Sequence, residues 1–209
     1  MAYDAARGRV VLVGGCCTSG LLADTWEWDG REWVERTSTT SPPARYGHAM
    51  AYDGARGRVV LFGGYSNGVF GDTWEWDGIN WAQRASAPSP PARSGHAMAY
   101  DSARERVVLF GGQGTSGFLA DTWEWDGNGW TQMTPATSPP ARGYGAMAYD
   151  SARGRVVLFG GRGTSGMLGD TWEWDGNAWK QMTPATTPPA RSFSAMAYDS
   201  ARERVVLFG

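Results

Sequence analysis

The sequence predicts an all-β fold assembled from four-stranded antiparallel units, and three observations carry that prediction. The tetrapeptide Met-Ala-Tyr-Asp begins at Met1, Met50, Met98, Met147 and Met196, a period close to fifty residues, and such a period marks a repeat architecture. The stretch Asp-Thr-Trp-Glu-Trp-Asp-Gly occupies Asp24–Gly30, Asp72–Gly78, Asp121–Gly127 and Asp170–Gly176; a third Trp follows each copy, and together these hold all 12 tryptophans. The 209 residues include 30 glycines and are 13% aromatic, the composition of a turn-rich β protein, and no segment shows helical periodicity.

The repeat divides the chain into units 1–49, 50–97, 98–146 and 147–195, with a partial fifth at 196–209. Each unit reads as four strands in order. In the second unit, His-Ala-Met-Ala-Tyr forms the first strand and Asp53-Gly54-Ala55-Arg56-Gly57 a turn. Val59-Val60-Leu61-Phe62 forms the second strand, ended by Gly63-Gly64, and a polar loop leads to the third, Thr73-Trp74-Glu75-Trp76. Asp77-Gly78 supplies a hairpin signal, because both residues tolerate positive φ. The fourth strand runs from about Trp81 to Ala85, and Pro90-Pro91-Ala92-Arg93 closes the unit.

Strand chemistry then selects the packing. Val-Val-Leu-Phe is apolar on both faces, so its sheet is covered on both sides, whereas a two-layer sandwich leaves alternate residues wet. The first strands carry small residues, Ala49 and Ala51, Ala97 and Ala99, Ala146 and Ala148, which suits strands converging on a crowded axis. Four-stranded units covered on both faces and narrow at one edge describe propeller blades. A linear stack of β units fits the small inner strand less well.

Composition excludes several function classes. The net charge is −2 and Lys180 is the single lysine, which gives no footprint for nucleic acid. No apolar run approaches the roughly 18 residues of a membrane span, and Met1 opens directly into repeat sequence rather than a signal peptide. Cys16 and Cys17 are the only cysteines and cannot form a disulfide framework. The compartment is left undecided.

The conspicuous motifs read as architecture. Trp26 and Trp28 share one face of a strand, expected beside the next blade; sugar-stacking rings are the functional alternative, but identical placement in every unit favours packing. The double glycines lack the helix and Lys-Ser/Thr pair of a phosphate cradle and mark positive φ or close backbone approach. Glu27, Glu75, Glu124 and Glu173 lie on the opposite strand face; their repetition favours ion pairs with a repeat arginine such as Arg45 or Arg93 over a glycosidase carboxylate pair. Nothing near Cys16-Cys17 lowers a thiol pKa.

The signature Gly14-Gly15…Trp28…Trp33, Gly63-Gly64…Trp76…Trp81, Gly111-Gly112…Trp125…Trp130 and Gly160-Gly161…Trp174…Trp179, with Arg45, Arg93, Arg142 and Arg191 before each next inner strand, resembles the kelch repeat. Trp28 and its equivalents stand where that family more often has Tyr. The resemblance covers the whole chain and implies a kelch-type β-propeller, with the Pro-Pro-Ala-Arg and post-Gly-Gly loops on one face. The chain begins at a first strand and ends after a second, so its two ends duplicate one half-blade. The expectation is a partial propeller, or one completed by another copy of the chain; a four-bladed ring with a surplus hairpin is the alternative.

The resemblance also bears on function. The units differ after Gly-Gly (Cys16, Tyr65, Gln113, Arg162) and after Pro-Pro-Ala-Arg (Tyr46, Ser94, Gly143, Ser192, then Gly47, Gly95, Tyr144, Phe193). In kelch domains that bind peptides, such positions line a shallow pocket at the channel mouth, which implies Tyr46, Tyr65, Ser94, Gln113, Arg162 and Ser192 as ligand contacts, with Tyr144 beside them. His48 and His96 offer two metal ligands, too few for a site, and no positions match the two His, two Tyr and Tyr–Cys cross-link of galactose oxidase. The expected function is a non-catalytic recognition module for a protein segment or glycan, with no metal, cofactor or catalytic residue. The alternatives are an enzyme of the galactose-oxidase or sialic-acid-mutarotase kind, and a fragmentary or engineered repeat chain without a ligand.

Overall fold

The computed structural model describes residues 1–18 and 20–209, and these form strands and turns without any helix. The first blade contains β1 (Ala2–Asp4), β2 (Arg9–Cys17), β3 (Gly20–Trp28) and β4 (Trp33–Arg36). The second contains β5 (Ala49–Asp53), β6 (Arg58–Phe62), β7 (Thr73–Trp76) and β8 (Trp81–Arg84). The third contains β9 (Ala97–Asp101), β10 (Arg106–Phe110), a small loop hairpin β11 (Gln113–Gly114) and β12 (Gly117–Phe118), then β13 (Thr122–Trp125) and β14 (Trp130–Met133). The fourth contains β15 (Ala146–Asp150), β16 (Arg155–Gly163), β17 (Gly166–Trp174) and β18 (Trp179–Met182), and a last hairpin pairs β19 (Ala195–Asp199) with β20 (Arg204–Phe208). Neighbouring strands of each sheet pair antiparallel in sequence order. The whole is a partial propeller of four blades and a half-blade.

Strand limits follow the residue chemistry with one difference. In the first and fourth blades the second and third strands continue through the double glycine, with a register shift between Val13 and Gly15 and between Phe159 and Gly161. The glycine requirement is physical: Gly63 has φ 63°, and a Cβ there would stand 2.5 Å from the Arg93 carbonyl oxygen. Every residue of Val59–Phe62 is buried, as apolarity on both faces demands.

Blade contacts repeat three times with the same chemistry. The Trp76 indole donates to Glu27 Oε1 at 3.0 Å, Trp125 to Glu75 at 3.2 Å, and Trp174 to Glu124 at 2.9 Å. Trp81, Trp130 and Trp179 donate to Thr25, Thr73 and Thr122. The tryptophans therefore face the preceding blade, not the next one as sequence reasoning had it; which neighbour a strand face meets depends on the direction in which blades follow one another around the axis. Around them lie Val11 and Val13 of one blade and Val59, Leu61 and Trp74 of the next. The hairpin glycines sit on arginines of the preceding blade: at Gly127, φ 93°, a Cβ would stand 2.0 Å from Arg56 Nε.

The glutamates do form ion pairs with repeat arginines, but different ones from those expected. Glu27 accepts from Arg7 at 2.6 Å and Arg36 at 3.0 Å, and Glu75 from Arg84 at 2.8 Å. Burial pushes the Glu27 carboxyl up, and the bonds from Trp76, Arg7 and Arg36 outweigh it, leaving the group below its ordinary value. Arg45, Arg93 and Arg142 instead grip aspartates. Arg93 is fully buried, holds Asp121 through two bonds of 2.6 Å, and donates to the Gly111 carbonyl. Its backbone bonds to Phe70 and Gly64 of the second blade, so one residue rivets two blades, and the pattern recurs at Arg45–Asp72 and Arg142–Asp170.

The arc leaves one copy of each half-interface uncovered. Trp33 is 44% exposed where Trp81 is 1%, and Phe208 is 83% exposed where Phe62 is fully buried. Five inner strands line the axial channel, from Tyr3 and Tyr52 to Tyr198; these are repeated residues, and Tyr100 and Tyr198 accept bonds from the turns of the preceding blades.

Candidate functional site

At one end of the channel the two sets of variable positions meet pair by pair. Tyr46 and Tyr65 exchange backbone hydrogen bonds of 3.0 and 2.8 Å, Ser94 and Gln113 bonds of 3.0 and 2.7 Å, and Gly143 and Arg162 bonds of 3.0 and 2.7 Å. A second thread crosses the blades just beside them. The Gly95 N–H donates to Gly47, Tyr144 to Gly95, and Phe193 to Tyr144. Backbone bonding thus fixes where each variable side chain emerges, while leaving its identity free. This division explains how near-identical units can present different surfaces.

Between these pairs lies a cavity of about 360 Å³ lined by Tyr46, Tyr65, Gly68, Val69, Ser94, Gln113, Gly114, Thr115 and Tyr144. The structure brings together five of the seven residues expected from sequence. Arg162 is exposed one blade further round the same rim, and Ser192 lies further still, so neither lines this cavity. Gly68, Val69, Gly114 and Thr115 were missed. They sit in loops whose path depends on the tight turns after the double glycine, and the only sequence signal for them is that those loops differ between units.

Ring geometry gives the cavity its walls. Tyr46 and Tyr65 meet edge to face with centroids 5.6 Å apart. The Tyr144 hydroxyl lies 3.3 Å from Gln113 Oε1, to which it donates, and its ring stacks on Phe193 at 4.3 Å. Tyr144 has φ 60° and Phe193 φ 62°, at positions where Gly47 and Gly95 have φ 65° and 63°. A Cβ on Gly95 would come within 2.5 Å of the Tyr144 ring, so that ring lies directly on the neighbouring unit's glycine. No charged side chain lines the cavity.

The other sequence candidates sit elsewhere. His48 and His96 immediately precede the inner strands β5 and β9. Burial, with the charges of the chain's amino terminus and Arg45, pushes His48 down to about 3. Burial pushes His96 well down too. Among the described residues, no three His, Cys, Asp or Glu side chains gather as a metal-binding group. Cys16 and Cys17 are exposed at the end of β2.

A family model described as the KLHDC2/KLHL20/DRC7 Kelch-repeats domain matches residues 72–209. No curated protein matches the chain.

Proposed function

The chain belongs to the kelch-repeat family, and from that premise we propose that it is a non-catalytic recognition module whose ligand occupies the rim cavity. The observation that carries this reading is convergence: Tyr46, Tyr65, Ser94, Gln113 and Tyr144, all at positions where the units differ, line one cavity, while the residues the units share build blades and interfaces. A pocket with aromatic walls and a few placed polar groups suits binding. Its lining holds no carboxylate, imidazole or thiol to serve as acid, base or nucleophile. Arg162 and Ser192, outside the cavity on the same rim, would contact a ligand long enough to extend past it. Screens of peptides and oligosaccharides against the chain and its Tyr65→Ala variant test the reading. Binding that Tyr65→Ala weakens supports it; binding indifferent to every cavity substitution contradicts it.

A second association is favoured by the uncovered faces. Trp33 on one side, and Val206 and Phe208 on the other, are exposed copies of residues buried at the internal interfaces, and exposed apolar patches of this kind invite association. A further blade of the same design fits each face, and a second copy of the chain carries one. Native mass reads this directly: multimers support association between copies, and a non-aggregating compact monomer argues against it.

A further inference from the structure

We propose that the rim cavity is a site for a neutral carbohydrate, with the exposed rings of Tyr46 and Tyr65 as its platforms and Tyr144 as a fixed wall; this rests on the reading of the rim as the binding face. Three observations define the ligand. The first is charge. None of the nine lining residues is acidic or basic, so an anionic or cationic ligand would lose hydration there without a counter-charge. Acidic sugars, free carboxylates and charged peptides are disfavoured on that ground.

The second is the state of the backbone. The main chains of Tyr46, Tyr65, Ser94 and Gln113 bond to each other, and Tyr144 N–H to Gly95. An extended peptide binding by strand addition needs unpaired main-chain groups, and these walls have committed theirs. What the lining offers is side-chain chemistry: the Ser94 and Thr115 hydroxyls, the Gln113 amide, the rings and hydroxyls of Tyr46 and Tyr65, and the Tyr144 hydroxyl. Hydroxyl and amide groups both donate and accept, as sugar hydroxyls do, and tyrosine couples an apolar face to a polar tip. That set is complementary to a pyranose ring, with its C–H face and its rim of hydroxyls.

The third is strain. Tyr144 holds a left-handed φ of 60° where two sister units place glycine. A bulky residue in that region is costly and persists where the surrounding structure holds it, commonly at ligand sites. Here the backbone bond to Gly95, the Gln113 contact and the Phe193 stack fix the ring as one wall of the cavity, its faces against Gly95 and Phe193 and its hydroxyl on Gln113. Phe193, at the equivalent position of the fourth unit, holds the same conformation at φ 62° as the ring's stacking partner, outside the cavity lining.

The test uses Tyr144→Gly, which restores the sister residue and relieves the backbone. A panel of neutral oligosaccharides, matched uronic-acid oligosaccharides and uncharged peptides is titrated against the chain by calorimetry, with thermal melts alongside. The expected result is binding of neutral oligosaccharides, weakened at least tenfold by Tyr144→Gly, with a Tm equal to or above that of the parent chain. Preference for acidic sugars, or neutral-sugar binding unchanged by Tyr144→Gly, overturns the proposal. Peptide binding lost in Tyr144→Gly without sugar binding overturns the carbohydrate assignment and leaves the recognition reading standing. Absence of binding across the whole panel counts against both.

Discussion

Asp121→Asn cuts one inter-blade rivet while changing almost nothing in volume. Arg93 is fully buried and spends its guanidinium on Asp121, on the Gly111 carbonyl at 2.8 Å and on the Pro91 carbonyl at 2.9 Å. Asp121 also accepts from its own Trp123 indole at 2.7 Å. Asparagine retains one acceptor and loses the charge, so the guanidinium stays buried without its counter-ion. Removing one partner of a buried pair costs about 3–5 kcal/mol, and the retained oxygen places Asn at the low end, about 3 kcal/mol. For a chain of this size about 2–4 °C accompanies each kcal/mol, which gives a Tm fall of roughly 6–12 °C. The chain contains its own control. Asp24 occupies the same repeat position and accepts from Trp26 at 2.7 Å, but no arginine pairs with it among the described residues. Asp24→Asn should cost less than about 1 kcal/mol, the scale of one altered hydrogen bond. Melts followed by circular dichroism compare the two. Equal falls would refute the rivet, because they would place the cost in the Trp–Asp contact that both positions share.

Three further outcomes follow from the same contacts. Acid should act in two stages. The folded pKa values of His48 and His96 lie below 6.5, so the unfolded chain takes up protons first and stability begins to fall as the pH drops below about 6.5. For Asp72, Asp121 and Asp170, burial pushes upward, but the arginine bonds and the adjacent indoles outweigh it and hold them below 3.8. Their contribution is complete above 3.8 and disappears as the pH falls through the folded values. His96→Ser, the residue at the equivalent position 194, should flatten the first stage in melts from pH 7 to pH 5, and an unchanged slope would contradict the assignment. Glu75→Gln should lower stability by about 1–2 kcal/mol, the scale of a weakened charged hydrogen bond reduced because Arg84 is 44% exposed. It should leave ligand binding intact; lost binding with an unchanged Tm would make Glu75 a ligand contact. Trp81→Ala should cost about 3–5 kcal/mol as a buried aromatic deletion, and Trp33→Ala much less in the isolated chain; equal costs would show that Trp33 is covered in solution.

The blades were legible because their signals are local. Double glycines mark positive φ, Asp-Gly marks the outer hairpin, and Val-Val-Leu-Phe declares a strand buried on both faces. Small inner residues and the recurring tryptophans then indicate convergence and packing. What sequence left open depends on three-dimensional neighbours. The direction of blade succession decided that Trp76 meets Glu27 of the preceding blade. The same geometry gave Glu27 to Arg7 and Arg36, and Arg45 to Asp72. The variable positions were legible by comparing units, yet the cavity gathers Tyr46, Tyr65, Ser94, Gln113 and Tyr144 and leaves Arg162 and Ser192 outside. Thr115 and Gly68 depend on loop paths that no periodicity encodes. The strain at Tyr144 showed in sequence only as a tyrosine where sister units carry glycine.

The repeated tryptophan strand builds the blades, and the varied rim is proposed to bind. The 12 tryptophans supply indole N–H reporters, and a nitrogen–proton correlation spectrum recorded while a bound oligosaccharide or peptide is titrated in reads the claim directly. Shifts are expected to concentrate at the amides of Tyr46, Tyr65, Ser94, Gln113 and Tyr144, while the indole signals of Trp76, Trp81, Trp125, Trp130, Trp174 and Trp179 stay in place. Ligand-dependent shifts led by the indoles, above all Trp26, Trp28 and Trp33, with a silent rim, would contradict it.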